Sequence, residues 1–241
     1  MRVIMLSPPG AGKGTQGERI SARYRVPHIS SGEIFREETA RQTPLGKQLS
    51  GYLDHGDLVP DELVLSLIKD RVVAAAKESG GYVLDGFPRT LEQAEAAAGI
   101  GRETNTSAQA VVYLDAPTEV LISRLTGRGE NRTDDSEAVA RHRLAVYAEH
   151  TQPLVDYYAA RGILVKIDAS ASVDEVSQQI FAALDRIKDL NHQPSERVRA
   201  PRPRSPVRAE RRAPGEAEDQ HVEDRVGRPV AAGPCDLPPA P

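Results

Sequence analysis

Met5–Gln16 reads MLSPPGAGKGTQ, and how this stretch is read decides the fold. It follows an apolar run, Val3–Leu6, and opens a helical pattern at Lys13. Gly10, Gly12 and Gly14 let backbone N–H groups turn inward and approach an anion closely, and the helix N-terminus adds a favourable dipole. Lys13 supplies a point charge that reaches phosphate oxygens. A plain glycine-rich turn would need the glycines but not the lysine at the helix start. The general phosphate-loop pattern is G-x-x-x-x-G-K-[ST] between a strand and a helix. Here Ser7 stands where the first glycine is expected, Gly14 takes the hydroxyl position, and Thr15 follows one residue later.

The chain to either side has the alternation that such a loop requires. Val3–Leu6, Tyr82–Asp85, Ala110–Asp115 and Ile163–Asp168 are short runs, apolar almost throughout, as expected of parallel strands covered on both faces, with His28–Ile29 as a weaker fifth. Helices are expected over Lys13–Tyr24, Ser31–Arg41, Asp61–Ser79, Pro117–Gly127, Glu137–Arg161 and Val173–Lys188. In the third of these Val64, Leu65, Ile68 and Val72 form one stripe, and Asp61 and Glu62 favour its start. Strands separated by helices imply a three-layer α/β/α domain around a parallel sheet.

Composition narrows the function classes. The 241 residues carry a formal charge of −4, which argues against nucleic acid or an anionic membrane as main partner. Cys235 is the single cysteine, so no internal disulfide exists and a reducing cytoplasm is expected. No apolar stretch approaches the roughly 20 residues of a membrane span, and the N-terminal apolar run is too short for a signal peptide. Composition changes near residue 188. From Asn191 onward lie ten of the eighteen prolines and no aromatic residue. The expected organisation is a core over 1–187 and a Pro/Arg-rich disordered tail over 188–241. The seven arginines of SERVRAPRPRSPVRAERR fit either a solvated extension or a polyanion contact.

A second cluster of binding residues follows the loop. ISSGEIFR places Ser31 and Arg36 across the first turns of a helix, GDLVP leads into the next helix, and LDGFPRT ends a strand in Asp85 before Arg89, with Gln93 close behind. Two arginines suit a second phosphate, and a carboxamide can bond an adenine edge. The full set of cations, Lys13, Arg36, Arg89, Arg124, Arg132 and Arg143, matches phosphoryl transfer, in which the protein aligns reactants and neutralises charge.

With these motifs in view the chain resembles the adenylate kinase family. GAGKGTQ, ISSGEIFR, YLDHGDLVPDELV, YVLDGFPRTLEQA, RLTGRG and RTDDSEAVARHRLAVYAEHTQPL are similar to its successive signatures, from Met1 to about Ile187. The resemblance implies a phosphate-loop fold with five parallel strands, a small helical AMP-binding insertion over 30–59 and a short lid over 127–137. It implies reversible transfer from Mg-ATP to AMP, giving two ADP. Gly10, Ala11, Gly12, Lys13, Gly14 and Thr15 would hold ATP phosphates, with Arg124, Arg128 and the Ala171 carbonyl completing the ATP site. Ser31, Arg36, Asp57, Leu58, Val59, Gly86, Phe87, Pro88, Arg89 and Gln93 would form the AMP site, while Arg132 and Arg143 reach both nucleotides. Asp85 would orient Mg2+ through water. No zinc is expected, since the short lid lacks a cysteine or histidine cluster. ATP and AMP are the expected partners of a monomeric, cytoplasmic enzyme.

Two alternatives stay open at this point. A kinase for UMP or CMP would share the fold, and Ser31 stands where adenine-specific relatives favour threonine. A weakly active nucleotide-binding module would follow if Ser7 were held at positive φ, a strain of roughly 1–3 kcal/mol.

Overall fold

The computed structural model describes residues 1–126 and 137–192. Five strands, β1 (Arg2–Leu6), β2 (His28–Ser30), β3 (Tyr82–Asp85), β4 (Ala110–Asp115) and β5 (Leu164–Asp168), form one parallel sheet in the order β2-β3-β1-β4-β5. The chain builds outward from β1 in one direction to β3 and β2, and in the other to β4 and β5. Such a reversal opens a crevice at the C-terminal ends of the strands, where loops from both halves meet. The loops after β1 and β3 both emerge there.

Alternation along each strand divides the core into two layers. Ile4, Leu6, Tyr82, Leu84, Val111 and Tyr113 face one layer, and Val3, Met5, Val83, Ala110, Val112 and Leu114 the other. Helices α1 (Lys13–Tyr24), α6 (Thr118–Thr126) and α9 (Val173–His192) cover the second layer through Ile20, Leu121, Val176, Ile180 and Leu184. The first layer is covered by α2 (Ser31–Ala40), α3 (Pro44–His55), α4 (Asp61–Glu78), α5 (Leu91–Thr104) and α8 (Pro153–Ala160). Burial on both faces is why the central strands β1, β3 and β4 read as nearly unbroken apolar runs, whereas β5, expected to be buried, is an edge strand only partly covered and carries Lys166.

Three features depart from the expected elements. α3 and α5 are helices outside the expected set, although α3 carries an apolar stripe of Leu45, Leu49, Tyr52 and Leu53. Both also have signals at the ends: Thr43 accepts from Gly46 N with Pro44 at the first turn, Thr90 accepts from Gln93 N, and each helix stops on a left-handed residue, Gly56 or Asn105. The helix expected over Glu137–Arg161 is two, α7 (Glu137–Val146) and α8, joined by a π turn over Tyr147–Thr151. Pro153 has no N–H for the ladder and its ring crowds the carbonyl four residues back, so the turn before it widens. Gln152 N accordingly donates to Tyr147 O, five residues back, at 2.9 Å. Finally α9 runs to His192, past the boundary that composition suggested near 188, and its side chains reach α1. Tyr24 and then Arg23 bond Asp185, at 2.7 and 2.6 Å, which holds that carboxyl below the usual carboxylate range. No helix among the described residues is long and apolar enough to cross a membrane.

Candidate nucleotide site

After Leu6 the chain turns through Ser7–Gly12 and enters α1 at Lys13. Gly10 and Gly12 both have positive φ, near 90° and 93°. At Gly10 a Cβ would also lie 2.7 Å from Leu121 O, so only glycine fits there. The first turn of α1 carries no acidic residue, leaving its N–H groups and dipole to an anion. Ser7 does not strain this loop. Among the described residues only Arg25, Gln42 and Asn105 are non-glycines with positive φ, and Ser7 is buried at 4% exposure in ordinary backbone. Its hydroxyl donates to Pro8 O at 2.9 Å, and Lys13 Nζ donates to both Ser7 Oγ and Ser7 O, each at 3.1 Å.

Beside the loop, β3 ends in Asp85, which lines a cleft of about 290 Å3 with Lys13, Gly14, Thr15, Arg36, Arg89 and Arg143. Asp85 is 7% exposed, and its Oδ1 has no hydrogen-bond partner among the described residues. Gly86 takes positive φ (79°). Arg89 is then pinned at three points. Its Nε donates to Gly86 O at 2.7 Å, its backbone N donates to Gln93 Oε1 at 2.8 Å, and its carbonyl accepts from Thr151 Oγ1 at 2.9 Å. Loss of solvent and then the neighbouring Arg143 pull the Arg89 guanidinium below the usual arginine pKa, while Asp85 opposes them. Cations gathered against their mutual repulsion mark a place built for anionic charge.

The cleft continues into a pocket of about 70 Å3 lined by Arg36, Asp57, Leu58, Val59, Gly86 and Gln93, with Arg89 and Arg143 at its junction with the cleft. Gln93, only 2% exposed, donates from Nε2 to Asp61 Oδ1 at 2.6 Å. Since the Arg89 N–H fixes the amide oxygen, the carboxamide has one remaining N–H to offer. Ser31 is fully buried, and its Oγ has no partner among the described residues. Phe87 sits in the core rather than along this pocket, while Pro88 lines a neighbouring one with Lys13 and Arg143.

On the other flank a cleft of about 460 Å3 is lined by Gly10, Gly12, Thr15, Arg124, Ala171 and Val173. Arg124 Nη1 donates to Ala169 O at 2.8 Å. Gln16 closes this cleft, donating to Val173 O at 2.9 Å and accepting from Ser177 Oγ at 2.8 Å. The structure thus gathers the loop, Arg36, Asp85, Arg89 and Arg143 around one cleft, with Arg124 and Ala171 beside it. Arg128 and Arg132 lie outside the described residues.

Sequence reasoning missed four contributors: Asp61, Thr151, Gln16 and Ser177. Asp61 had a visible signal as an acid at a helix start, but its bond to Gln93 did not. His142 also pairs with Asp57 at 2.8 Å, joining α7 to the Gly56–Val59 loop.

The packing at Gly86 yields a direct expectation. A Cβ there would lie 2.3 Å from Ser31 Oγ and 3.2 Å from Arg89 Nη2, on a backbone that disfavours side chains. Gly86→Ala should cost about 2 kcal/mol of stability and lower Tm by roughly 4–8 °C. It should also raise KM for the second nucleotide at least about tenfold through the displaced Arg89 and Ser31. Thermal melting and acceptor saturation curves check both.

Comparison with known proteins agrees with this geometry. The adenylate kinase family model matches residues 5–163. An adenylate kinase from Kocuria rhizophila is 46% identical over 187 residues, covering 77% of this chain and 99% of that one. One from Thermobifida fusca is 44% identical over 186 residues, covering 76% and 98%. One from Archaeoglobus fulgidus is 40% identical over 217 residues, covering 78% and 100%.

Proposed function

The chain belongs to the adenylate kinase family, and from that premise we propose how its residues carry out the reaction. The protein is a nucleoside monophosphate kinase that transfers a phosphoryl group reversibly between ATP and AMP. The single observation supporting the residue assignment is the shared cleft, where the loop of β1 and the arginines of the acceptor side face one another.

Lys13 and the N–H groups of Gly10–Thr15 bind the donor's phosphates. Arg124 and the Ala171 carbonyl frame the donor base. Arg36 and Arg89 hold the AMP phosphate, and Gln93, fixed by Asp61 and Arg89, offers its remaining N–H to the ring N1 acceptor of adenine. Leu58, Val59 and Ser31 complete the acceptor pocket. An oxygen of AMP, already anionic, attacks the γ-phosphorus in line. The bond from that phosphorus to the β–γ bridging oxygen breaks, and the electron pair leaves with ADP, so no general base is needed. Arg89 and Arg143, with Arg132 by the family resemblance, neutralise the transferring group, and Arg128 by the same resemblance contacts ATP. The buried, unpartnered Oδ1 of Asp85 beside Lys13 fits a hydrated divalent ion. Asp85 would hold Mg2+ through water, and that ion supplies charge neutralisation at the donor phosphates.

We place the enzyme in the cytoplasm as a monomer without structural zinc, supported by its lone cysteine and, for the monomer, by the scattered exposed large hydrophobics among the described residues, Leu91, Val173 and Leu190. Steady-state assays with AMP, CMP and UMP test the acceptor. AMP should be favoured by about a hundredfold or more in kcat/KM, since Gln93 is rigidly placed for a purine edge. Comparable rates with CMP would overturn the adenine assignment. A chain ending at His192 should retain the parent's kcat and KM, because the residues that line the clefts all lie at or before Val176. Lost activity on that truncation would show that the tail contributes to the site.

A further inference from the structure

Ser7 offers a hydroxyl that the transfer described above does not use, at a position where the phosphate-loop pattern has none. The hydroxyl's own proton is committed to Pro8 O at 2.9 Å, so toward Lys13 it can only accept. An ammonium has three N–H donors. Ser7 takes two of them, one on Oγ and one on its carbonyl, each at 3.1 Å. A phosphate-loop lysine that reaches both the β- and γ-phosphates needs two donors for phosphate oxygens. Three donors cannot meet four acceptors, so one contact to Ser7 must give way. A glycine at this position would keep the carbonyl contact and lack the hydroxyl, so the competition comes from the serine side chain.

We propose that the Ser7 hydroxyl is a positioning group that competes with a phosphate oxygen for Lys13, weakening donor-nucleotide binding and speeding its release. This rests on the assignment of the Lys13 loop to the donor phosphates. The hydroxyl, not the carbonyl, is the contact that yields, because a peptide carbonyl is the stronger acceptor. A shortened residence of nucleotide follows wherever release limits turnover.

The test is calorimetric titration of the full chain with Mg2+ and the non-transferable analogue AMPPCP, alongside Ser7→Ala and Ser7→Gly. Both variants should bind about three- to tenfold more tightly, the net worth of one ordinary hydrogen bond, since the Lys13 contacts to Ser7 are long at 3.1 Å. Nucleotide release should slow by a similar factor in stopped-flow displacement. KM for ATP should fall while kcat does not rise. Ser7→Thr, which keeps the hydroxyl, should bind as the parent does. In a Lys13→Met background the serine and alanine forms should bind alike. Unchanged or weaker binding in a folded Ser7→Ala or Ser7→Gly protein would overturn the proposal. So would the same tightening without Lys13. Should Ser7→Ala melt below the assay temperature, Ser7→Gly carries the test, since glycine is the residue the loop pattern accommodates. A parent that fails to bind AMPPCP at all would instead refute the donor-site assignment.

Discussion

Arg89→Ala should lower kcat/KM for AMP by about a thousandfold without lowering Tm. The catalytic loss follows from removing a preorganised cation that meets charge developing on the transferring group, an effect of roughly 10²–10³ per donor, with lost AMP binding added. The neutral effect on stability follows from the surroundings. Arg89 is partly desolvated beside Arg143, and both influences work against its charge. Its side-chain bond to Gly86 O is the main contact the folded state would lose, while the backbone bonds to Gln93 and Thr151 do not depend on the side chain. Arg89→Lys should restore little, since an ammonium cannot reproduce the planar fork of a guanidinium. Initial rates at varied AMP with a parallel thermal melt provide the check. A fall in Tm that accounts for the lost rate would assign Arg89 to architecture instead.

Lys13→Met should lower kcat by about 10²–10³-fold while leaving KM for AMP near the parent value. Methionine keeps the length of the side chain and removes the charge, so the loop and the start of α1 should survive. Lys13 stands at the first position of α1, against Ser7 and across the cleft from Arg36 and Arg89. Its loss should be felt on the donor side. Near-ultraviolet spectra and the melting temperature would report an intact fold. A large rise in KM for AMP with kcat preserved would contradict a donor-phosphate role.

Much of the fold could be read ahead of the structure because its central strands are buried on both faces. Tyr82–Asp85 and Ala110–Asp115 are unbroken apolar runs for that reason, and their bounds match the expected ones. α3 escaped because Gly46 and Gly51 interrupt its stripe, and α5 because Gly99 and Gly101 interrupt it and alanines replace the large apolar residues of a stripe. Gly46 has its own cause: a Cβ there would lie 2.1 Å from Glu38 O, so α2 and α3 meet backbone to backbone. The candidate site divides along similar lines. Residues on the loops at strand ends, such as Lys13, Asp85 and Arg89, lie in short motifs whose spacing carries meaning. Their supports do not. Asp61 meets Gln93 across 32 residues, Thr151 meets Arg89 across 62, and Ser177 meets Gln16 across 161, distances at which no local pattern operates.

The widened turn at Tyr147–Thr151 sets how two halves of one helical rod are aimed. A π turn holds one residue more than the α-helical ladder would, and each residue advances an α-helix by about 100°. That extra residue lets Arg143 point into the cleft from α7 while Leu154 and Tyr158 point into the core from α8. It also brings Thr151 to the carbonyl of Arg89. Winding the same residues into a regular α-helical ladder across Val146–Gln152 would swing α7 by about 100° relative to α8. Every side chain would be retained, yet Arg143 would sweep away from the phosphates. At this joint, the width of one turn works as a gear that couples the packing of α8 to the aim of Arg143.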